Sequence, residues 1–171
     1  MKLQEAIKIA LDYENKVRDH YAKGAASIQD PQGRKVFETL AKEEQGHVDY
    51  LTYCLDQWTK TGKVKATELK SVLPKGVEWI DQARKRLQKN PAKRVAAAGE
   101  IELLKIALQM EIETGTFYKD LVSKLPAGDR DLFAKFLDIE DGHLTIVQAQ
   151  LDSVQGLGYW FDVPEFELEG A

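Results

Sequence analysis

Two stretches, Glu44-Gln45-Gly46-His47 and Glu140-Asp141-Gly142-His143, repeat one pattern: a carboxylate three residues ahead of an imidazole. On a helix, residues three apart lie on one side, so each copy aims both groups at one place. The correspondence reaches outward from these four letters. Val36-Phe37 begins eight residues before Glu44, and Leu132-Phe133 begins eight before Glu140. Further upstream, Ala10-Leu11-Asp12-Tyr13-Glu14 matches Ala107-Leu108-Gln109-Met110-Glu111, and each of these Glu precedes a Tyr by seven residues, Tyr21 and Tyr118. The chain is therefore a doubled unit, a helix with one Glu followed by a helix with Glu-x-x-His. Two such units supply four carboxylates and two imidazoles, a ligand set for two metal ions.

Apolar spacing around these residues predicts the helices that carry them. A first helix is expected from about Lys2 to Ser27, because Leu3, Ile7, Ala10, Glu14, Val17 and Tyr21 follow the alternating steps of a bundle seam. Asp30-Pro31 opens a second, with Pro in the first turn and the seam Phe37, Leu40, Glu44, His47, Leu51, Cys54, Trp58. A third carries Ala97, Ile101, Leu104, Leu108, Glu111, Gly115, Tyr118 and Val122. A fourth, entered through the turn Pro126-Ala127-Gly128, carries Phe133, Phe136, Glu140, His143, Val147 and Val154. The proposed ligands all occupy positions that the pattern reserves for apolar side chains.

Between the two units the regularity breaks. Thr61-Gly62-Lys63 and Leu73-Pro74-Lys75-Gly76 read as turns. Val77, Ile80, Ala83, Arg84 and Leu87 predict a short amphipathic helix, and Asn90-Pro91 supplies a cap and first-turn proline for the third long helix. Short connections within each unit and a long one between them predict an all-α, ferritin-like four-helix bundle with a helix-containing crossover between helices two and three. The expectation is one domain over residues 1–171, with the bundle over about 2–155. The aromatic, Gly- and Pro-broken stretch 156–171 is expected to be non-helical and to pack on the bundle or on a neighbouring subunit.

Composition narrows the function classes. The 171 residues suffice for a substantial core. Of the 28 acidic residues, setting aside the four seam Glu leaves 24 against 24 basic ones. No basic field for nucleic acid and no polybasic segment for lipid is left. There is no apolar run of transmembrane length, and the amphipathic N-terminus lacks the apolar stretch of a signal peptide. The single Cys54 excludes an internal disulfide and fits a reducing compartment, so a cytoplasmic location is expected.

A lone Glu-x-x-His is usually a solvated pair, and a lone seam Glu can be matched by a basic residue. Six such groups on inner seams, with no Lys or Arg beside them, are a different case. Unpaired buried carboxylates are costly and repel one another, whereas two divalent cations neutralise four of them. The expected metal ligands are therefore Glu14, Glu44, His47, Glu111, Glu140 and His143, with no catalytic residue beyond them. Tyr21 and Tyr118 admit two readings, core packing or a hydrogen bond to a ligand carboxylate. His20 falls off the seam and reads as a surface or hairpin contact, Cys54 as a small core residue, and Trp58, Trp79 and Trp160 as core or interface. Glu43, Glu102 and Glu113 read as solvated.

With these residues placed, the chain resembles the ferritin-like di-iron carboxylate proteins, and among them the rubrerythrin branch, over nearly all of residues 1–155. The resemblance implies that Glu44 and Glu140 bridge the metals. It implies that Glu14 with His47 serves one iron and Glu111 with His143 the other. Two departures stand out. Rubrerythrins usually carry a four-cysteine rubredoxin domain, which a chain with one Cys lacks. They also tend to have an additional Glu one turn before the third-helix ligand, where this chain has Leu108, as in the simpler site of bacterioferritins.

The implied activity is two-electron reduction of hydrogen peroxide or O2 at an iron pair, fed by an external donor such as a rubredoxin, in a homodimer that binds neither nucleic acid nor membrane. Imidazole with carboxylate suits iron, while manganese and zinc also accept these ligands. Two alternatives belong to other classes: a ferroxidase or iron-handling protein whose substrate is Fe(II), and a helical metal-binding scaffold without turnover.

Overall fold

The structure, a computed structural model, describes residues 2–65, 67–71 and 98–155. These residues form four α-helices, α1 (Leu3–Ser27), α2 (Pro31–Thr61), α3 (Ala98–Lys124) and α4 (Ala127–Val154), and no strand. The architecture is the expected all-α four-helix bundle. No described helix is long and apolar enough to cross a membrane.

Local chemistry explains the helix ends. α1 stops at Ser27, where the Ile28 N–H still donates to Gly24 O at 2.9 Å. The Asp30 carboxylate then accepts from the Gly33 N–H at 2.8 Å, and Pro31 takes the first helical position, which needs no donor. α2 ends on Gly62, whose φ of +66° is the left-handed conformation that favours glycine, with its N–H bonded to Trp58 O at 2.8 Å. The turn into α4 is shorter than the sequence suggests. Ala127 and Gly128 already lie in the helix, because extended Pro126 turns the chain and its carbonyl accepts from both Asp129 and Arg130.

Helices α1 and α2 form one antiparallel hairpin, and α3 and α4 form the other. Two crossed pairs show how the hairpins face each other. Tyr21 of α1 meets Glu111 of α3 while Glu14 meets Tyr118, so these helices are antiparallel. Glu44 of α2 meets His143 of α4 while His47 meets Glu140, so these are antiparallel too. The doubled sequence has become an internal two-fold relation between hairpins.

Two apolar clusters fill the interior. One gathers Leu3, Ile7, Ala10, Leu51, Cys54, Leu121, Phe133 and Phe136; the other gathers Val17, Ala25, Phe37, Leu40, Leu104, Ala107, Val147 and Leu151. In α1 the first cluster precedes Glu14 and the second follows it. In α2 the order is reversed about Glu44 and His47, as antiparallel packing requires. The Glu and His thus form one polar layer between two apolar ones. Gly24 serves the second cluster, since a Cβ there would lie 2.4 Å from a Phe37 ring atom.

The seams of α1, α2 and α4 are buried as expected, except that Trp58 is only half-buried. In α3 the inward stripe is displaced. Ile101, Leu108 and Val122 are half-buried, while Ala107, Thr114, Leu121 and Leu125 are buried beside Leu104, Glu111 and Tyr118. The reason is composition: α3 carries apolar residues over most of its circumference, including exposed Ile106 and Ile112, so spacing alone leaves its rotation ambiguous. The expected helix at 77–87, the cap at 90–91, Trp79, Trp160 and the tail lie outside the described residues.

From Gly62 the chain turns back along α2. Lys65 N–H donates to the Gln57 side chain at 3.4 Å, the Tyr50 hydroxyl donates to Thr67 O at 3.4 Å, and the Ser71 hydroxyl donates to Glu43. Residues 65 and 67–71 therefore run antiparallel to α2, with Leu69 seated in the core.

Candidate metal centre

Each of the four helices delivers its carboxylate from the middle of a buried stripe, one turn after one buried neighbour and one or two turns before the next. Glu14 lies between Ala10 and Val17, Glu44 between Leu40 and Leu51, Glu111 between Ala107 and Tyr118, and Glu140 between Phe136 and Val147. All six residues expected as ligands are at most 2% exposed. The structure brings all six together.

The four motif residues form the centre: one donor atom from each of Glu44, His47, Glu140 and His143 lies within 4.8 Å of the others. Glu44 sits between the rings, with Oε2 3.0 Å from His47 Nδ1 and Oε1 2.7 Å from His143 Nδ1. Glu140 Oε1 is 3.4 Å from His47 Nδ1. Glu14 and Glu111 flank this centre. Glu14 Oε2 accepts from His47 Nδ1 at 3.1 Å, and Glu111 Oε2 lies 3.9 Å from His143 Nδ1. Both imidazoles thus turn Nδ1 toward the carboxylates, and the rings stack at 5.3 Å with an interplanar angle of 13°.

Tyr21 and Tyr118 resolve in favour of hydrogen bonding. The Tyr21 hydroxyl donates to Glu111 and the Tyr118 hydroxyl to Glu14, each crossing to the other hairpin. Both tyrosines are also packed side chains, Tyr21 edge-on to Phe37 at 5.4 Å and Tyr118 stacked on Phe136 at 4.6 Å. Phe136 in turn meets His47 in a T-shaped arrangement at 5.1 Å and 73°. Aromatic walls therefore keep water from the layer on this side.

The electrostatics of the layer are uneven. Burial pushes the Glu14 carboxyl up to about 8 and the Glu111 carboxyl up to about 7, against an ordinary value of 4.5. Glu140 is raised well above that value, by burial first and then by the charges of Glu14 and Glu44. Glu44 goes the other way. Burial disfavours its charge, yet the two imidazoles beside it prevail and hold it well below 4.5. Burial alone would lower His47 and His143, but Glu44 and its neighbours raise both well above 6.5. Tyr21 and Tyr118 are held protonated by burial and by the carboxylates they touch.

Hydrogen bonding leaves the layer unfinished. Both oxygens of Glu44 and of Glu140, Oε2 of Glu111, Nε2 of His47 and both nitrogens of His143 have no hydrogen-bond partner among the described residues. Buried polar atoms are normally satisfied, so a concentration of orphans in one carboxylate and imidazole cluster marks a place built for something else. A cation fits: it neutralises the carboxylates and takes lone pairs that no donor reaches. The cluster can hold metal ions and is compatible with a ferritin-like di-iron site.

Other residues fall less evenly. His20 is half-buried, packs near Phe37 within its own hairpin, and places Nε2 2.9 Å from Leu103 O of α3, away from the layer. Cys54 is a buried core residue, as read. Glu102 and Glu113 are exposed, as read. Leu108 is half-buried against the second apolar cluster, while Ala107 takes the fully buried position one turn before Glu111.

Glu43 is the residue that sequence reasoning missed. It was expected in solvent, but it is 7% exposed, accepts from Ser71, and puts Oε2 3.9 Å from His143 Nε2. Its position beside Glu44 puts it toward the edge of the stripe, and Ser71 of the returning segment 67–71 reaches it. No protein-family model, curated protein or solved structure matches this chain.

Proposed function

We propose that the chain is a di-iron carboxylate oxidoreductase of rubrerythrin-like type, which reduces hydrogen peroxide or O2 with electrons from an external donor such as a rubredoxin. One observation carries the reading: six buried carboxylate and imidazole residues converge, and most of their donor atoms have no hydrogen-bond partner among the described residues. In this proposal Glu44 and Glu140 would be shared by two ions, Glu14 with His47 would hold one, and Glu111 with His143 would hold the other. The donor set suits iron, since imidazole favours the later transition metals and carboxylate accommodates both ferrous and ferric charge.

Held as a pair by these residues, two ferrous ions would supply the two electrons that, with two protons, take hydrogen peroxide to two waters. The protein's own part is to bind, orient and shield. Glu44 lies centrally between both Nδ1 atoms, the place a shared ligand must occupy. The hydroxyls of Tyr21 and Tyr118 hold one oxygen each of Glu111 and Glu14, leaving the other oxygen of each for a metal. Phe136 and Phe37 close the layer against water beside these tyrosines, which keeps the local dielectric low. The single cysteine of these 171 residues cannot form a rubredoxin-type centre, so this reading assigns the electrons to a separate donor.

The test is single-turnover chemistry followed by turnover. Protein purified without added metal is analysed for iron, manganese and zinc, then loaded with Fe(II) under anaerobic conditions and mixed with one equivalent of hydrogen peroxide. Two irons per chain, rapid oxidation and then arrest are expected, with steady peroxide consumption once reduced rubredoxin and its reductase are added. Prompt oxidation by air with release of ferric iron and no response to the donor assigns a ferroxidase instead. Iron that reacts with neither oxidant rejects the enzymatic reading.

A further inference from the structure

We propose that Glu43, held by Ser71, is a positioning residue for His143 and makes the two halves of the metal centre unequal, with the His143 position the tighter one. The inference rests on the metal-site reading above but concerns a residue outside the six ligands. It begins from the repeat. With Glu44 matched to Glu140 and His47 to His143, the partner of Glu43 is Ile139. Both are buried to the same degree, 7% exposed, so the two positions are equivalent in place and opposite in chemistry.

The crossed geometry of the bundle decides which ring each position serves. Nδ1 of His143 lies 2.7 Å from Glu44, which leaves Nε2 turned away from the carboxylate layer; Glu43 Oε2 stands 3.9 Å from that Nε2. When an imidazole gives Nδ1 to a metal, Nε2 carries the proton, and an acceptor behind it fixes the tautomer and the ring and makes the ligand more basic. The distance is longer than a hydrogen bond, so Glu43 acts here through charge in a buried, weakly screened setting. Nε2 of His47 has no hydrogen-bond partner among the described residues, and Ile139 occupies the repeat position equivalent to Glu43.

Ser71 supplies the second half of the device. Its hydroxyl donates to the same Oε2 of Glu43 that faces the ring, from the segment lying along α2. Tyr50 to Thr67 and Lys135 to Thr67 fasten that segment to α2 and α4, and Leu69 anchors it in the core. The second hairpin has no counterpart of this arrangement among the described residues, because Ile139 offers nothing for a hydroxyl to hold. The asymmetry is therefore built from one substitution between repeats and one returning strand of chain.

The experiment is a cobalt titration of the metal-free full-length chain, read from the visible bands of bound Co(II) in competition with a chelator of known affinity. The wild type is expected to take two ions in two resolved steps. Glu43→Ile, which copies the other repeat, should weaken the tighter step by about tenfold or more and leave the weaker one in place. Glu43→Gln, which keeps the size of the side chain and an oxygen for Ser71 but removes the charge, should weaken the tighter step nearly as much. Ser71→Ala should act in the same direction but less, and decides the matter if Glu43→Ile fails to fold. Two equal steps in the wild type, variants that match it, or equal weakening of both steps with a lower metal-free melting temperature would each overturn the proposal while leaving the metal site standing. A wild type that takes no cobalt overturns the metal-site reading, and this inference with it.

Discussion

The hydroxyl of Tyr118 donates to Glu14, not to Glu111, the carboxylate of its own helix. Two helical turns, about 10 Å, separate Tyr118 from Glu111 along α3, whereas antiparallel packing brings Glu14 of α1 directly opposite. Tyr21 repeats the relation with Glu111. Each hairpin therefore holds the flanking carboxylate of the other.

That exchange makes the tyrosines testable as ligand holders. Tyr118→Phe and Tyr21→Phe keep the ring and its packing but leave one buried carboxylate oxygen without a donor. Each should cost about 1–3 kcal/mol of stability in the metal-free protein, measured by urea denaturation. Each should also weaken metal binding about tenfold or more, measured by competition with a chelator. A variant with normal stability and affinity would return the tyrosine to a packing role.

Glu44 lies between both imidazoles and Glu140 is its repeat partner. If each is shared by two ions, Glu44→Ala or Glu140→Ala should reduce metal content from two per chain toward one or none. Glu113→Ala, at an exposed position on α3, should leave it at two. Elemental analysis of the three proteins checks this. Two metals and an unchanged spectrum in both site variants would remove the sharing assignment.

The raised carboxyls predict how the metal-free bundle responds to pH. Folded Glu14 and Glu111 ionise near 8 and 7 against 4.5 for an ordinary carboxyl, so the folded state holds their protons more tightly than the unfolded state does. Their cost is absent below about 4.5 and grows as pH rises, levelling near 7 for Glu111 and near 8 for Glu14. The raised histidines act in the same direction, stabilising below 6.5 and losing that contribution at higher pH. Glu44, held low, contributes fully above 4.5 and loses stability only in acid. Urea midpoints with a chelator present should therefore fall from pH 5 to pH 8. Glu14→Gln should flatten the fall and be more stable than the wild type at pH 8. Metal-loaded protein should show no such fall, because ligation favours the deprotonated carboxylates. A flat profile for the metal-free wild type would contradict the buried cluster.

Two glycines test the packing beside the site. Gly24→Ala drives a methyl group to within 2.4 Å of the Phe37 ring, which also packs on Tyr21, so a loss of about 1–3 kcal/mol is expected. Gly142→Ala, in the middle of α4 with nothing within 4 Å of the added atom, should stabilise by about 0.5–1 kcal/mol. Thermal melts of the metal-free proteins separate the two. If Gly142→Ala destabilised, the glycine of the Glu-x-Gly-His motif would be required for more than helix geometry.

Much of this protein was legible before any tertiary structure. Apolar spacing located the four long helices and the stripes of α1, α2 and α4. The doubled pattern picked out the six residues that converge, because a carboxylate in an apolar stripe stands out against its neighbours. Spacing failed on α3, where apolar residues on several sides left its rotation to be chosen by packing. Helical periodicity assigns a residue to a face but does not name what it meets there. Which carboxylate each tyrosine holds, which ring Glu44 and Glu140 approach, and why Glu43 is buried all depend on the antiparallel register of two hairpins and on a segment that returns along α2. Those are long-range contacts, between residues 28 to 104 positions apart in the examples Ser71–Glu43 and Tyr118–Glu14, and only the folded chain brings them together.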